Sequence, residues 1–186
     1  MEGAVITTAT TRAKWQNLEH KGVAFPPEYQ PRGITITIRG EKLVLNRDQE
    51  EIVYAWAKKK DTHYVQDPIF QQNFLSDLQK FLPERHHNIT INDIDFSMAY
   101  QLADEERLMK EHEKERYKTL PKEQKKNIAQ AKKAEREKLK TIYGKAVVDG
   151  IEVDVANWLV EPPGLFMGRG QHPMRGRWKP RVRPQD

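Results

Sequence analysis

From Asp104 to Lys145 the chain carries 14 basic and 9 acidic residues, and its few apolar side chains never close into a stripe. Leu108 and Met109 stand in the first part, and Ile128, Leu139 and Ile142 in the second, with alanines between them. Pro121 divides the run, so two helices are expected, one over about 97–117 and one from Pro121 to about Tyr143, closed by Gly144. A helix polar nearly all round bridges solvent or leans on a partner. This pair therefore cannot form the core and is expected to protrude, and the large apolar residues must build the fold elsewhere.

They lie mostly upstream. Ile34-Thr35-Ile36-Thr37-Ile38 alternates strictly, and Lys42-Leu43-Val44-Leu45 follows a turn at Gly40-Glu41, which predicts a hairpin with one buried face. Residues 47–60 read as a helix in which Ile52, Ala55 and Trp56 share a face, with Lys58-Lys59-Lys60 at its dipole-negative end. A second helix starts near Asp67-Pro68, carries Phe70, Phe74, Leu78, Phe81 and Leu82, and ends at Pro83. Asp95 is placed to cap the third. Ahead of the hairpin, Pro26, Pro27 and Pro31 forbid a helix in 15–31, leaving an extended segment with Trp15, Phe25 and Tyr29 as packing surface. Beyond Gly144, Ala146-Val147-Val148 and Ile151 to Val155 flank a turn at Asp149-Gly150.

The expected architecture is α+β: small mixed or antiparallel β elements with packed helices, plus the long basic helix pair. Residues 1–14 form a lead-in, 15–31 the extended segment, 32–143 an α+β lobe with the helix pair (about 97–143), and 145–186 a return to the first body.

Charge is distributed unevenly. Residues 1–103 are nearly neutral, with 12 basic and 13 acidic; 146–163 hold 4 acidic and no basic residues; 164–186 hold 6 basic and 1 acidic. Two cationic segments thus flank an acidic one, a pattern suited to touching an extended polyanion in two places. The chain has no cysteine, which removes disulfides, thiolate metal sites and cysteine nucleophiles. No apolar run approaches a membrane span, and no apolar signal core opens the sequence, so a cytosolic or nuclear protein is expected.

No complete active site is visible. Gly168-Arg169-Gly170 lacks the continuation and the βαβ context of a dinucleotide fingerprint. His86-His87 has no further ligand at metal spacing, and His112-Glu113 lacks a second helical histidine. The informative stretch is Gly164 to Arg183. Gly164, Gly168, Gly170 and Gly176 permit close approach to another surface. Arg169, set between two of them, could enter a narrow groove, where a guanidinium is drawn by the potential and donates to base-edge acceptors. Arg175, Arg177, Lys179, Arg181 and Arg183 could then neutralise phosphates, while Leu165, Phe166 and Trp178 suggest that part of the loop packs. On the residues alone two readings of other kinds stay open. One is a non-enzymatic RNA- or ribosome-binding module; the other is a protein-interaction helix hairpin whose basic charge is incidental.

Val160-Glu161-Pro162-Pro163-Gly164-Leu165-Phe166, then Gly168-Arg169-Gly170, His172-Pro173 and Gly176, closely resemble the signature region of eukaryotic type IB DNA topoisomerases. Lys14-Trp15, Leu18-Glu19-His20-Lys21-Gly22, Phe25-Pro26-Pro27, Tyr29 and Pro31 resemble the start of that family's core. Phe70-Gln71-Gln72-Asn73-Phe74 resembles its next helix motif, and Asp95-Phe96 and Tyr143-Gly144 bracket its long helix pair. The resemblance covers about residues 14–186.

It implies a nuclear enzyme that relaxes supercoiled DNA without ATP or an obligatory metal, through a 3′-phosphotyrosyl link and rotation of the free 5′ end. The catalytic groups belong to the family's later segments, so this chain is expected to be an inactive DNA-binding fragment, the upper lobe of a clamp around duplex DNA. Its implied partners are duplex DNA, the rest of the core, and a catalytic-tyrosine segment or subunit. By the same resemblance Arg169 matches an arginine that reaches the minor groove, Lys179 another DNA-contacting position, and Phe166, Gly168 and Arg169 positions that affect camptothecin-type poisons. Met167, Met174 and Pro180 depart from the family, where basic residues are common; Arg175 and Arg177 could restore the charge.

Overall fold

The computed structural model describes residues 15–182; the expected lead-in 1–14 and Arg183 lie outside the described residues. In chain order the elements are β1 (Leu18–His20), β2 (Thr35–Ile38), β3 (Glu41–Val44), α1 (Arg47–Ala57), α2 (Pro68–Gln79), β4 (Ile94–Asp95), α3 (Ser97–Thr119), α4 (Lys122–Tyr143), β5 (Lys145–Val148), β6 (Ile151–Asp154), β7 (Gly164–Leu165) and β8 (Trp178–Lys179), with short 3-10 turns between some of them. All the strand pairings within its small sheets are antiparallel, and the class is α+β as expected. Among the described residues no helix is long and apolar enough to cross a membrane.

The chain divides into two compact units. One takes the segment ending at Ala24 and Lys126–Val160. Its sheet has the order β1-β5-β6, with Leu18 opposite Val148 and Val148 opposite Ile151. Asp149 turns β5 into β6 with φ 50° and ties in the β1 strand, its Oδ1 accepting from the Gln16 and Asn17 N–H groups at 2.8 and 2.7 Å. β1 falls inside the segment read as merely extended, because its ladder partner lies far along the chain. Trp15 and Leu18 remain exposed and Trp158 is buried.

The other unit takes Phe25–Lys125 and the segment from Glu161, and holds the larger core. The alternation in β2 turns Ile36 and Ile38 inward, extending a buried row begun by Ile34. The hairpin turn is at Arg39-Gly40, one residue earlier than expected, and β4 adds a third strand on the far side of β2. α1 lies at the centre, packed against α2, α3 and β7, so Ile52–Ala57 is buried as a continuous run and not as one stripe. Trp56 stacks on Phe74 with ring centroids 4.4 Å apart and is flanked by Phe70 and Phe96. Each such ring, fully buried, contributes on the order of 1.5–3 kcal/mol.

α2 ends at Gln79, and Pro83 disfavours helical geometry at Leu82, so the helix does not run on to the proline. Phe81 is left partly exposed while Leu82 is buried. The extended segment is pinned to α1 by Glu50. This carboxylate is buried and accepts from the Tyr29 hydroxyl at 2.9 Å and from the N–H groups of Arg32, Gly33 and Ile34. Four donors compensate its burial. Of the three aromatics expected to pack the segment, Tyr29 is the one set against the core.

Candidate nucleic-acid interface

α2 is the platform for the glycine- and arginine-rich segment. Asp67 caps it, Oδ1 accepting from the Ile69 and Phe70 N–H groups at 2.9 and 3.3 Å, with Pro68 at the first helical position. Asp67, Phe70, Asn73 and Asp77 recur at three- and four-residue steps and so share one side of the helix. All four meet the segment beyond Gly164. Arg175 Nη2 reaches Asp67 Oδ2 at 2.7 Å. Asn73 Nδ2 donates to the carbonyls of Pro173 and Arg175 at 2.8 and 2.7 Å. Asp77 Oδ2 accepts from the Trp178 N–H at 2.8 Å, and Oδ1 pairs with Arg177 at 3.2 Å and Lys80 at 2.6 Å. Burial pushes the Asp77 carboxyl upward, but the Lys80 and Trp178 hydrogen bonds and the charges of Lys80 and Arg177 outweigh it and hold the group below the usual aspartate value.

The segment is a hairpin. Gly164 lies opposite Lys179 and Leu165 opposite Trp178, and the ladder continues with Phe166 N–H to the Arg177 carbonyl and Gly176 N–H to the Phe166 carbonyl, both at 2.8 Å. The sequence alone reads as a loop here, since two-residue strands carry no alternation. Leu165 joins the core. The Phe166 ring meets the His172 imidazole edge-on at 4.9 Å, and the Lys179 ammonium lies 5.2 Å from its centroid. His172 Nδ1 accepts the Met174 N–H at 3.1 Å, which closes the tip on itself. Gly168 has φ 50°, and a Cβ there would sit 2.9 Å from His172 Cβ, so the tip needs glycine at this point for both reasons.

The basic side chains fall into two groups. Arg175 is 4% exposed; besides Asp67, it donates to the Gly170 carbonyl. Arg177 is held by Asp77 and Ser76. The Arg181 side chain is 13% exposed and bonds Glu51 at 3.2 Å and the Pro26 carbonyl at 3.0 Å. These guanidiniums fasten the hairpin to α1, α2 and the extended segment. Lys179 is more open, in a solvent-facing pair with Glu161 at 3.0 Å. Arg169 lies on the bend between Gly168 and Gly170, exposed, and makes no ion pair or hydrogen bond with any described residue. The tip therefore presents one uncompensated guanidinium, at Arg169. Asp67, Asn73, Asp77 and Glu51, which set this pattern, were not singled out as site residues by sequence reading; the signal available was polar Asn73 and Asp77 interrupting the Phe70, Phe74, Leu78 stripe.

The helix pair differs along its length. The early turns of α3 are laced by Arg107 to Asp104 at 3.0 Å and Lys110 to Glu106, whereas among the described residues α4 makes no ion pair and buries no residue. Most of its lysines face solvent with no ion pair, while Lys125 donates to the Lys118 carbonyl at 2.7 Å.

The family model described as "Eukaryotic DNA topoisomerase I, DNA binding fragment" matches residues 13–186. The chain belongs to this family. It is 38% identical over 173 residues to DNA topoisomerase 1 beta of Arabidopsis thaliana, covering 93% of this chain and 18% of that protein. It is 36% identical over 179 residues to DNA topoisomerase 1 of Candidozyma auris and 36% over 177 residues to DNA topoisomerase 1 of Homo sapiens, in each case over 93% of this chain and 22% of the relative. The chain thus spans about a fifth of the length of these topoisomerases. The topoisomerase I resemblance carried by Val160 to Gly176 is upheld, and the RNA- or ribosome-binding alternative is not favoured.

Proposed function

We propose that this chain is the DNA-clamping segment of a nuclear type IB topoisomerase, the upper lobe that holds duplex DNA while other segments perform chemistry. The whole enzyme would relax supercoils without ATP, by transient single-strand cleavage through a 3′-phosphotyrosine and controlled rotation. The tyrosine and its arginine, lysine and histidine helpers would come from later core or C-terminal segments, or from a second subunit, and the fragment alone would be inactive. Residues 15–31 and 145–186 would serve the first core subdomain, and 32–143 the cap lobe.

The observation that carries this reading is the isolation of Arg169. It projects between two glycines with its charge uncompensated, while Arg175, Arg177 and Arg181 are neutralised nearby and stiffen the turn that presents it. A free guanidinium carried on a braced turn suits a narrow minor groove, where potential and base-edge acceptors favour it. Lys179 would add a phosphate contact by exchanging Glu161 for DNA, and the open lysines of α4 a second cationic surface. Arg175, Arg177 and Arg181 would act on DNA through the hairpin's position, with Gly168 and Gly170 shaping the tip. Phe166, Gly168 and Arg169 would border the place where a camptothecin-type poison lodges.

The test is duplex binding and plasmid relaxation. The fragment should bind duplex DNA with steep salt dependence and little sequence preference, and should not relax plasmid. Preference for single-stranded RNA over duplex, or catalytic relaxation by the fragment, would overturn the reading.

A further inference from the structure

The Lys58-Lys59-Lys60 run serves no purpose in the DNA reading. Lys58 is the C-cap of α1, and the run borders a cleft of about 430 Å³ between that end of α1 and the side of α3 carrying Arg107, Lys110 and Lys114. Part of the charge here is answered within the chain. Lys60 pairs with Asp104 at 3.0 Å and Asp61 at 3.4 Å, Arg107 with Asp61 and Asp104, and Lys110 with Glu106. Lys58, Lys59 and Lys114 have no carboxylate partner among the described residues, and Glu111 is the one further acid on the lining.

Lys58 is the most exacting of the three. Its ammonium lies 5.0 Å from the centroid of the Tyr54 ring. Lys58 is exposed as a residue, but partial desolvation of its head among these neighbours lowers its proton affinity. Glu106 raises it and Lys110, Lys59 and Arg32 lower it, leaving the group below the usual lysine value. The negative end of the α1 dipole accounts for cations at Lys58 and Lys59. It does not account for Lys110 and Lys114, which share a face of α3 four residues apart and converge on the same cleft. Cations gathered from two helices into a concave site, six against the four carboxylates of Asp61, Asp104, Glu106 and Glu111, fit an anion with several charges.

We propose that this cleft binds a phosphate-bearing polyanion, held by Lys58 and Lys59 from the end of α1 and by Lys114 from α3, with Lys110 able to leave Glu106 for the ligand. Compact, strongly hydrated ammonium groups act as point charges toward phosphate without demanding a planar ligand. The volume accommodates a few linked phosphate groups. This site is separate from Arg169 and stands whether or not the groove reading does.

The test is amine footprinting of the full-length protein at low salt, with inorganic tripolyphosphate as probe and acetylation read at each lysine by peptide mass spectrometry. Tripolyphosphate should protect Lys58, Lys59 and Lys114 several-fold while leaving exposed Lys42 unchanged. The double variant Lys58→Gln, Lys114→Gln should weaken tripolyphosphate binding about tenfold, as expected for lost charge-assisted hydrogen bonds, with an unchanged melting curve. Lys58→Arg should retain protection of Lys59 and Lys114. Uniform or absent protection, or undiminished binding by the double variant, would overturn the proposal. Repeating the footprint with a short DNA duplex on Arg169→Ala protein identifies the source: protection at the same lysines assigns the site to a nucleic-acid backbone, and protection by tripolyphosphate alone assigns it to a soluble polyphosphate.

Discussion

Gly176 lies flat against the backbone of Phe70: a Cβ built on Gly176 would fall 2.8 Å from the Phe70 carbonyl carbon and closer still to its oxygen. The obstruction is main chain in the first turn of α2, which cannot rotate aside, and Gly176 also has φ 82°. Gly176→Ala should therefore destabilise the hairpin by about 2–4 kcal/mol, combining left-handed strain with overpacking. Denaturant unfolding would register this. The prediction fails if the alanine variant unfolds within about 0.5 kcal/mol of the parent.

Asn73 is the second fastening. It is 8% exposed, and its one amide nitrogen supplies both carbonyls of the tip, Pro173 and Arg175. Asn73→Leu fills the same space but leaves the buried Arg175 carbonyl unpaired, a cost of about 1–3 kcal/mol, while the Pro173 carbonyl can turn to water. The expected result is lower stability together with faster amide exchange at Gly176 and Arg177. Loss of stability with exchange unchanged there would mean that Asn73 serves α2 alone.

Local patterns were legible; long-range pairings were not. Ile34 to Ile38 announces its buried face because strand alternation is written in adjacent residues, and Asp67-Pro68 announces a helix start because capping is equally local. β1, β4, β7 and β8 are two or three residues long and exist only because distant partners supply their ladders, as Val148 does for Leu18. The same limit blurred the arginines. Arg169 and Arg175 look alike within a glycine-rich run, and only the folding of Asp67 beside one of them separates a buried tie from an exposed guanidinium. Family membership was legible because the signature around Arg169 is contiguous.

That separation makes Arg169 and Arg175 fail differently when removed. Arg169→Ala should leave the melting temperature unchanged, weaken duplex binding and reduce the slope of log affinity against log salt by about 1, as for loss of a single cationic contact. Arg175→Ala removes one member of a pair whose arginine is buried, so about 3 kcal/mol of stability should go. For a chain of this size that is roughly 6–12 °C in melting temperature. Thermal melts and salt titrations on both variants would check it. Equal melting temperatures for the two would contradict the division of roles.

Acid should act through Glu106. Burial pushes this carboxyl upward, but hydrogen bonds from Lys110, the Tyr54 hydroxyl and Arg32 dominate and bring it from the usual 4.5 to about 2. Burial first, then the hydrogen bond to Glu106 and its charge, raise the Tyr54 hydroxyl to about 12 against the lowering by Arg32. Because the folded carboxyl holds its proton less tightly than the unfolded one, the unfolded chain binds more protons as pH falls below 4.5. The stability Glu106 contributes is thus fully present above about pH 4.5 and is lost progressively as pH falls toward 2. Glu106→Gln should flatten this part of the acid-unfolding profile while leaving the slope above pH 5 unaltered. An unchanged slope between pH 2 and 4.5 in the variant would show that Arg32, Tyr54 and Lys110 do not draw on the Glu106 charge in solution.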